Sequence, residues 1–141
     1  MFAAVPVAAS DEGLLAALAA ADLPTGDIAD PGRAFFRVER DGLVLGYGGF
    51  ELYGEDALLR SVVVPPARRG QGHGRAVAEA MLGEIGAAGG KRAYLLTTSA
   101  AGFFEHLGFV RIERGTAPAA ILTTRQAASI CTSADLLTKA I

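Results

Sequence analysis

A glycine-rich segment holds the residues whose types and spacing best predict chemistry. Arg69–Gly74 reads Arg-Gly-Gln-Gly-His-Gly, directly after the apolar run Leu58–Val64 and before a helical pattern that starts near Arg75. Glycines allow a tight turn with open backbone N–H groups, and a helix N-terminus adds aligned amides with a partial positive charge. A strand, this turn and a helix start therefore predict a site for a phosphate-carrying ligand.

Two common phosphate loops do not match the segment. A Walker A loop is excluded because no Lys followed by Ser or Thr closes it, so nothing is placed to hold a γ-phosphate and its magnesium. A Rossmann fingerprint is excluded because the glycine spacing differs and no acidic residue ends a second strand about 20 residues later. What remains is the pattern Arg-x-x-Gly-x-Gly after a β-strand.

The flanking patterns predict the strands that position this segment. Asp41-Gly42 is a strong signal for a hairpin turn, and Gly54-Glu55-Asp56 predicts a second turn, so the middle of the chain is an antiparallel meander. The predicted strands are Phe2–Val7, Arg33–Arg40, Leu43–Tyr53, Ala57–Val64, Lys91–Thr98, Phe109–Arg114 and a last strand at Ala134–Lys139.

Helical patterns separate these strands. Ser10 or Asp11 can cap a helix over Glu12–Ala21, whose apolar stripe is Leu14, Leu15 and Leu18. The helix after the glycine-rich segment repeats Val77, Met81 and Ile85 on one face and ends at Gly89-Gly90. Further helices are predicted at Ala100–His106 and at Pro118–Ala128, and Leu23–Pro31 is predicted as a loop with one helical turn. Because the order is β-α-β-β-β-α-β-α-β before the tail, we expect a mixed α/β fold.

Composition limits the classes of function. The 141 residues suit one domain over residues 1–141, and 51% apolar residues suffice for a core. A net charge of −2 gives no electrostatic case for nucleic acid or an anionic membrane, and no apolar stretch is long enough to span a bilayer. The single cysteine, Cys131, excludes an internal disulfide and favours the cytoplasm; we interpret it as a buried structural cysteine, with a reactive thiol as the alternative. No His, Cys and Asp residues have the spacing of a metal site.

Two segments carry a resemblance to a known family. Leu59–Gly74, which reads LRSVVVPPARRGQGHG, resembles the pyrophosphate loop of the GNAT superfamily, the acyl-CoA-dependent N-acyltransferases. Ala100–Phe109, which reads AAGFFEHLGF, is similar to the GNAT segment that leads from a short helix into the sixth strand, where the family reads Ala-x-x-Phe-Tyr-Glu-x-Leu-Gly-Phe. The resemblance covers roughly residues 33–113.

The resemblance implies a fold and a cofactor site. It implies a mostly antiparallel central sheet of about seven strands, flanked by helices and splayed between strands four and five, where the pantetheine arm of acetyl-CoA enters. The backbone of Val62 and Val64 would pair with the pantetheine amides, and the N–H of Val63 would polarise the thioester carbonyl. The residues expected to hold the pyrophosphate, with His73 touching phosphate or simply exposed, are Arg69, Gly70, Gln71, Gly72, His73, Gly74 and Arg75.

The residues that would act on the amine are a smaller set. Glu51 and Tyr53 share one face of the third strand, since side chains alternate. Glu51 either takes the amine proton, through water, or faces solvent on a half-exposed strand. Arg60 stands where many GNAT members carry an acid; it either clamps a carboxylate or phosphinate-like group of the substrate or forms a salt bridge with Glu51 or Asp56.

Phe104 is the main departure from the family pattern. The tyrosine that usually protonates the departing thiolate falls at this position, and phenylalanine cannot donate a proton, so Phe104 is left as a substrate-binding residue. Ser99, Thr97 and Thr98 close the fifth strand and are candidate donors, with capping of the following helix as their alternative role. Tyr53 is another candidate donor. His106 is expected at the surface.

The tail narrows the resemblance and leaves alternatives open. The tail has Pro-Ala-Ala-Ile at 118–121 and Cys-Thr-Ser-Ala at 131–134. It is similar to the Pro-Ala-x-Ile and Cys-x-x-Ser-Ala tail of a bacterial subset, the arsenic-resistance N-acetyltransferases, which acetylate the amino group of arsinothricin, a glutamate mimic close to phosphinothricin. The resemblance thus implies a cytoplasmic bacterial N-acetyltransferase that takes a small-molecule amine. A non-catalytic acyl-CoA-binding module and a protein lysine or N-terminal acetyltransferase are the alternatives, and pairing of the final segment across a homodimer stays open.

Overall fold

The computed structural model describes residues 2–21, 32–65, 72–124 and 134–141. Within them, seven strands form one mixed sheet, as expected. The strands are β1 (Phe2–Val7), β2 (Arg33–Arg40), β3 (Leu43–Tyr53), β4 (Asp56–Val63), β5 (Arg92–Thr97), β6 (Val110–Ile112) and β7 (Asp135–Ala140). The helices are α1 (Glu12–Ala20), α2 (His73–Ala87), α3 (Ala101–His106) and α4 (Ala119–Leu122).

The sheet order is β1-β2-β3-β4-β5-β7-β6. The first four strands form an antiparallel meander, and the turn between β2 and β3 has positive φ at Asp41 (52°) and Gly42 (80°), the geometry of a primed hairpin turn. β4 and β5 are parallel. β7 lies between β5 and β6 and is antiparallel to both, so the final segment pairs within its own chain.

Helix α2 covers one face of the sheet. Its predicted stripe of Val77, Met81 and Ile85 is fully buried, and burying side chains of this size contributes about 1.5–3 kcal/mol each. The helix packs directly on β3, because a Cβ atom at Gly48 would lie 2.6 Å from Met81 Cγ. The helix begins at His73, two residues before the predicted start, so His73 and Gly74 belong to the helix and not to a loop.

The opposite face carries two separate apolar clusters. Leu14 and Leu18 of α1 pack with Phe35 and Tyr47, whereas Ile121 of α4 belongs to a cluster with Leu58 and other side chains of the central strands. Asp11 caps α1, since its Oδ2 accepts a hydrogen bond from the backbone N–H of Leu14 at 2.9 Å.

Several predicted bounds need correction near the end of the chain. The sixth strand covers Val110–Ile112 alone, because a 3-10 turn at Arg114–Thr116 replaces its predicted end. The predicted helix over Pro118–Ala128 is one short turn within the described part, with Pro118 as its N-cap. The predicted loop at Leu23–Pro31 and the side chain of Cys131 lie outside the described residues.

Candidate active site

A cleft opens where β4 and β5 separate. The two strands pair at Asp56–Leu58 with Arg92–Tyr94, and beyond this point a cavity of about 370 Å³ lies between them. This confirms the expected splay of the fourth and fifth strands. The cavity is lined by Ala21, Leu59, Arg60, Ser61, Val62, Val63, Val64, Leu95, Leu96, Thr97, Ser99, Ala100 and Phe104.

A β-bulge shapes the β4 wall of the cleft. Tyr47 pairs with Val63 whereas Gly49 pairs with Arg60, so β4 has one residue more than β3 over this stretch. Ser61 lies in the bulge with φ of 58°. This left-handed conformation costs a residue with a side chain roughly 1–2 kcal/mol. Past the bulge, Val62–Val64 line the cleft, which is where the expected pantetheine contacts would lie.

The N-terminus of α2 stands next to this wall. Its N-cap is Gly72, with φ of 77° and no side-chain capping bond, and its first turn contains no acidic residue. The positive end of the helix is therefore not neutralised by its own side chains. Gly74 is packed closely by Phe103, because a Cβ atom there would lie 3.2 Å from Phe103 Cζ.

The predicted phosphate-binding side chains separate into three groups. His73 is 5% exposed, so the interpretation as an exposed residue is wrong; its Nδ1 has no hydrogen-bond partner among the described residues. Arg75 lies at the surface and pairs with Glu79 through Nε and Oε1 at 2.9 Å. The structure does not describe Arg69, Gly70 and Gln71, so their expected role stays a prediction.

A buried polar cluster adjoins the cleft on the face opposite α2. Glu51 has no exposed surface; its Oε2 accepts from Arg60 Nη1 at 2.9 Å, and its Oε1 lies 3.6 Å from Arg33 Nη2. The Tyr53 hydroxyl donates to Glu51 Oε1, as their shared strand face allows. The interpretation of Glu51 as solvent-facing is therefore wrong, and the salt bridge expected as one alternative for Arg60 is present.

Arg60 connects this cluster to the cleft. Its side chain is 1% exposed, yet it lines the cavity. Arg60 Nε donates to Ser61 Oγ at 3.3 Å, and the guanidinium carbon lies 5.8 Å from the centroid of the Phe35 ring. These contacts fix the plane of the guanidinium group at the wall of the cleft.

Tyr53 is held in its neutral form. Burial raises the pKa of its hydroxyl to about 12, and the hydrogen bond to Glu51 acts in the same direction. A phenol with this pKa stays protonated at neutral pH. Within the described part of the chain, Tyr53 is not among the residues that line the cleft.

The end of β5 contributes the other cleft wall. Thr97 Oγ1 accepts from the backbone N–H groups of Ser99 at 3.3 Å and Ala100 at 2.9 Å, so Thr97, rather than Ser99, holds the turn into α3. Ser99 is exposed and lines the cleft. Phe104 is buried there and packs edge-on against Phe103 and Phe109, with ring centroids 4.9 Å and 5.6 Å away.

Within the described ranges, the chain has neither a candidate metal site nor a membrane-spanning helix. They contain no group of three His, Cys, Asp or Glu side chains that could hold a metal ion. His106 is exposed, as expected. None of the helices in the described part of the chain is long and apolar enough to cross a membrane.

Arg33 and Ser61 were not identified from the sequence. A hairpin with its turn at Asp41-Gly42 and no irregularity would place Arg33 opposite Phe50, on the other face of the sheet. A register shift between Val38 and Glu39 instead pairs Arg33 with Glu51. No residue type in the sequence signals this shift, and none signals the left-handed Ser61.

Comparisons with known proteins agree with this geometry. The sequence profile of the acetyltransferase (GNAT) domain matches residues 31–111, more than half of the chain. The chain is 36% identical over 93 residues to the uncharacterised N-acetyltransferase YjgM of Escherichia coli strain K12, a match that covers 60% of this chain and 56% of YjgM. The chain thus spans little more than half the length of this curated relative.

Solved structures share the fold at low sequence identity. A putative acyl-CoA N-acyltransferase from Klebsiella pneumoniae has a TM-score of 0.78 at 18% identity, and the match covers 99% of this chain and 97% of the Klebsiella chain. N-acetylglutamate synthase from Neisseria gonorrhoeae, in complex with coenzyme A and N-acetyl-glutamate, has a TM-score of 0.77 at 13% identity, covering 99% and 35%. The ribosomal-protein-S18-alanine N-acetyltransferase of Escherichia coli has a TM-score of 0.69 at 19% identity, covering 100% and 94%.

Proposed function

Because this chain belongs to the GNAT family of N-acetyltransferases, we propose that it acetylates the primary amine of a small amino-acid-like molecule that carries an anionic group. Acetyl-CoA is the donor in this proposal. The observation that carries it is the cleft between β4 and β5, whose wall includes the buried guanidinium group of Arg60. Acetyl-CoA that enters between the two strands would therefore meet an acceptor whose anionic group is bound by Arg60.

The described residues fit the donor. The cavity of about 370 Å³ offers an entrance for a narrow pantetheine arm along the backbone of Val62–Val64. The N-terminus of α2, which has no side-chain cap and begins after Gly72 in a left-handed conformation, suits a pyrophosphate, and the buried Nδ1 of His73 is a polar atom beside it. The solved neighbour from Neisseria gonorrhoeae binds coenzyme A on the same fold, which supports the same donor here.

The acceptor assignment depends on Arg60. A guanidinium group held in one plane suits a carboxylate or phosphinate, because its N–H groups can donate two parallel hydrogen bonds. Glutamate, phosphinothricin and arsinothricin combine such an anion with a primary amine, and the resemblance of the tail to the arsenic-resistance subset points to the last two. The fold alone does not choose an acceptor, since neighbours act on amino acids and on a ribosomal protein.

The residues of the chain have definite parts in the proposed reaction. The N–H of Val63 would donate to the acetyl carbonyl oxygen, which gains negative charge as the amine attacks. A C–N bond forms and the C–S bond breaks; the ammonium loses two protons in all, the thiolate gains one, and one proton is released. Ser99 lines the cleft, so we assign it, with water, to the proton delivery that Phe104 cannot perform.

Turnover against a panel of amines tests the function. Purified protein with acetyl-CoA should release thiol rapidly with phosphinothricin or glutamate, slowly with neutral amino acids, and not with polyamines or a lysine peptide. Arg60→Ala should raise KM for the preferred acceptor, and Arg37→Ala, at a half-buried arginine of β2 that pairs with Glu39, is the control. Selective turnover of the lysine peptide would replace this proposal with a protein acetyltransferase.

One observation favours a second candidate. Phe104 removes the hydroxyl expected near the departing sulfur, which a non-catalytic acyl-CoA-binding module could tolerate. Acetyl-CoA binding by calorimetry without turnover of any amine would support this candidate. Thiol release with any amine above the rate without protein would exclude it.

A further inference from the structure

We propose that Glu51 is a positioning residue, which holds the guanidinium groups of Arg60 and Arg33 so that they select an acceptor with a second anionic group. The inference rests on the proposed function and changes the expected role of Glu51, which was that of the amine base. Arg33 becomes a specificity-determining residue in this assignment.

The hydrogen bonds of Glu51 argue against a base. Oε2 accepts from Arg60 and Oε1 accepts from Tyr53, with Arg33 Nη2 3.6 Å from the same oxygen. A general base must reach the proton that it removes, directly or through one water. Glu51 has no exposed surface, and in the described part of the chain it is not among the residues that line the cleft, whereas Arg60 is.

The same contacts make Glu51 an anchor. Arg60 is held through Nη1 by Glu51, through Nε by Ser61 and at its planar face by Phe35. An ion pair with 1% of each side chain exposed is costly to desolvate and contributes little net stability compared with apolar packing. Such a pair is consistent with selection for an oriented guanidinium group, because a guanidinium that is already oriented loses less entropy when it binds an anion.

Arg33 enters the cluster from the neighbouring strand. The register shift in β2 places it opposite Glu51, and its side chain is 10% exposed against 1% for Arg60. Arg33 is thus the more accessible of the two guanidinium groups that flank one carboxylate. Like Glu51, Arg33 is not among the described residues that line the cleft, so it would act on an anion held at Arg60 through its charge and not through direct contact.

Acceptors that differ by one charge provide the test. Glutamate and glutamine have nearly the same shape, so the ratio of their kcat/KM values reports the contribution of the side-chain anion. For Glu51→Gln we expect KM for glutamate, and for phosphinothricin, to rise at least tenfold. We expect KM for glutamine to stay within threefold, kcat within fivefold, and the acidic limb of the pH profile of kcat to be unchanged. A fall of kcat by a hundredfold or more for every acceptor, with loss of that limb, would make Glu51 the base.

Variants at Arg33 provide a second test of the inference that does not depend on how well Glu51→Gln folds. Arg33→Ala should reduce the preference for glutamate over glutamine at least fivefold, Arg33→Lys should restore part of it, and Arg37→Ala should leave it unchanged. Equal loss with both acceptors would overturn the selective role of Arg33. If the wild-type protein turns over glutamine as well as it does the two anionic acceptors, this inference fails while the acetyltransferase function stands. If the wild-type protein turns over no amine, the proposed function itself fails.

Discussion

The ion pair between Arg60 and Glu51 allows a quantitative prediction, because the protein contains a matched pair at its surface. Arg60 Nη1–Glu51 Oε2 and Arg75 Nε–Glu79 Oε1 are both 2.9 Å apart. The first pair is 1% exposed on each side, and the second is 64% and 54% exposed. Because the two ion pairs have the same distance but different burial, a comparison of their coupling energies separates the effect of desolvation from that of geometry.

Removal of one buried partner should be costly. Arg60→Met leaves the Glu51 carboxylate buried with Arg33 at 3.6 Å, and Glu51→Gln removes the carboxylate that pairs with the buried Arg60 guanidinium. Each change should lower the free energy of unfolding by about 3 kcal/mol, the lower end of the range for breaking a buried pair. For a chain of this length that corresponds to a fall in Tm of roughly 10 °C.

The double variant should recover most of the loss. With both charges of the Arg60–Glu51 pair removed, Met and Gln fill the space, so the loss should be about 1–2 kcal/mol and the coupling energy about 4–5 kcal/mol. The surface pair, tested as Arg75→Met with Glu79→Gln, should show a coupling of about 0.5 kcal/mol or less. Thermal and urea unfolding of the seven proteins, with wild type shared between the two cycles, measures both. A buried coupling below about 1 kcal/mol would refute the argument that burial governs this pair.

Three further predictions follow from single contacts. Ser61→Gly should be more stable than Ser61→Ala by about 1 kcal/mol in urea unfolding, because both lose the hydroxyl but only glycine tolerates φ of 58° without strain; equal stabilities would contradict a strained bulge. Asp11→Ala should lower the free energy of unfolding by about 1 kcal/mol through loss of the α1 cap, whereas Glu12→Ala should change it less. The pKa of Tyr53 is raised to about 12, so its contribution to stability is complete below about pH 10 and is lost as the pH rises towards 12. The Tm measured over pH 9–12 should therefore fall less steeply in Tyr53→Phe than in wild type. Parallel curves would contradict the raised pKa of Tyr53.

The parts of the fold that local patterns specify were predictable. The Asp41-Gly42 turn fixed the β2–β3 hairpin, and the repeat of Val77, Met81 and Ile85 identified the buried face of α2. The shared strand face of Glu51 and Tyr53 followed from alternation along one strand. In each case the pattern depends on neighbours within a few residues, where turn chemistry and periodicity determine structure.

The parts of the fold that depend on irregular or distant strand pairing were not predictable from the sequence. A one-residue shift in β2 moves Arg33 from one face of the sheet to the other, and a one-residue bulge at Ser61 reshapes the cleft wall. The start of α2 at His73 was missed because histidine between two glycines suggests a loop, whereas here the residue is buried as the first residue of the helix. These outcomes depend on tertiary packing rather than on residue type.

The place of β7 in the sheet has a consequence for how the protein folds. β6 pairs with β7, and β7 pairs with β5 through contacts such as Arg92 with Ala140, 48 residues apart in sequence. The meander β1–β4 can assemble from hairpins with short loops, but β6 gains its place in the sheet once β7 has arrived. Non-local pairing of this kind slows folding. During synthesis, the first half of the sheet would therefore form early, while β5 keeps an open edge that other chains could pair with until β7 closes it.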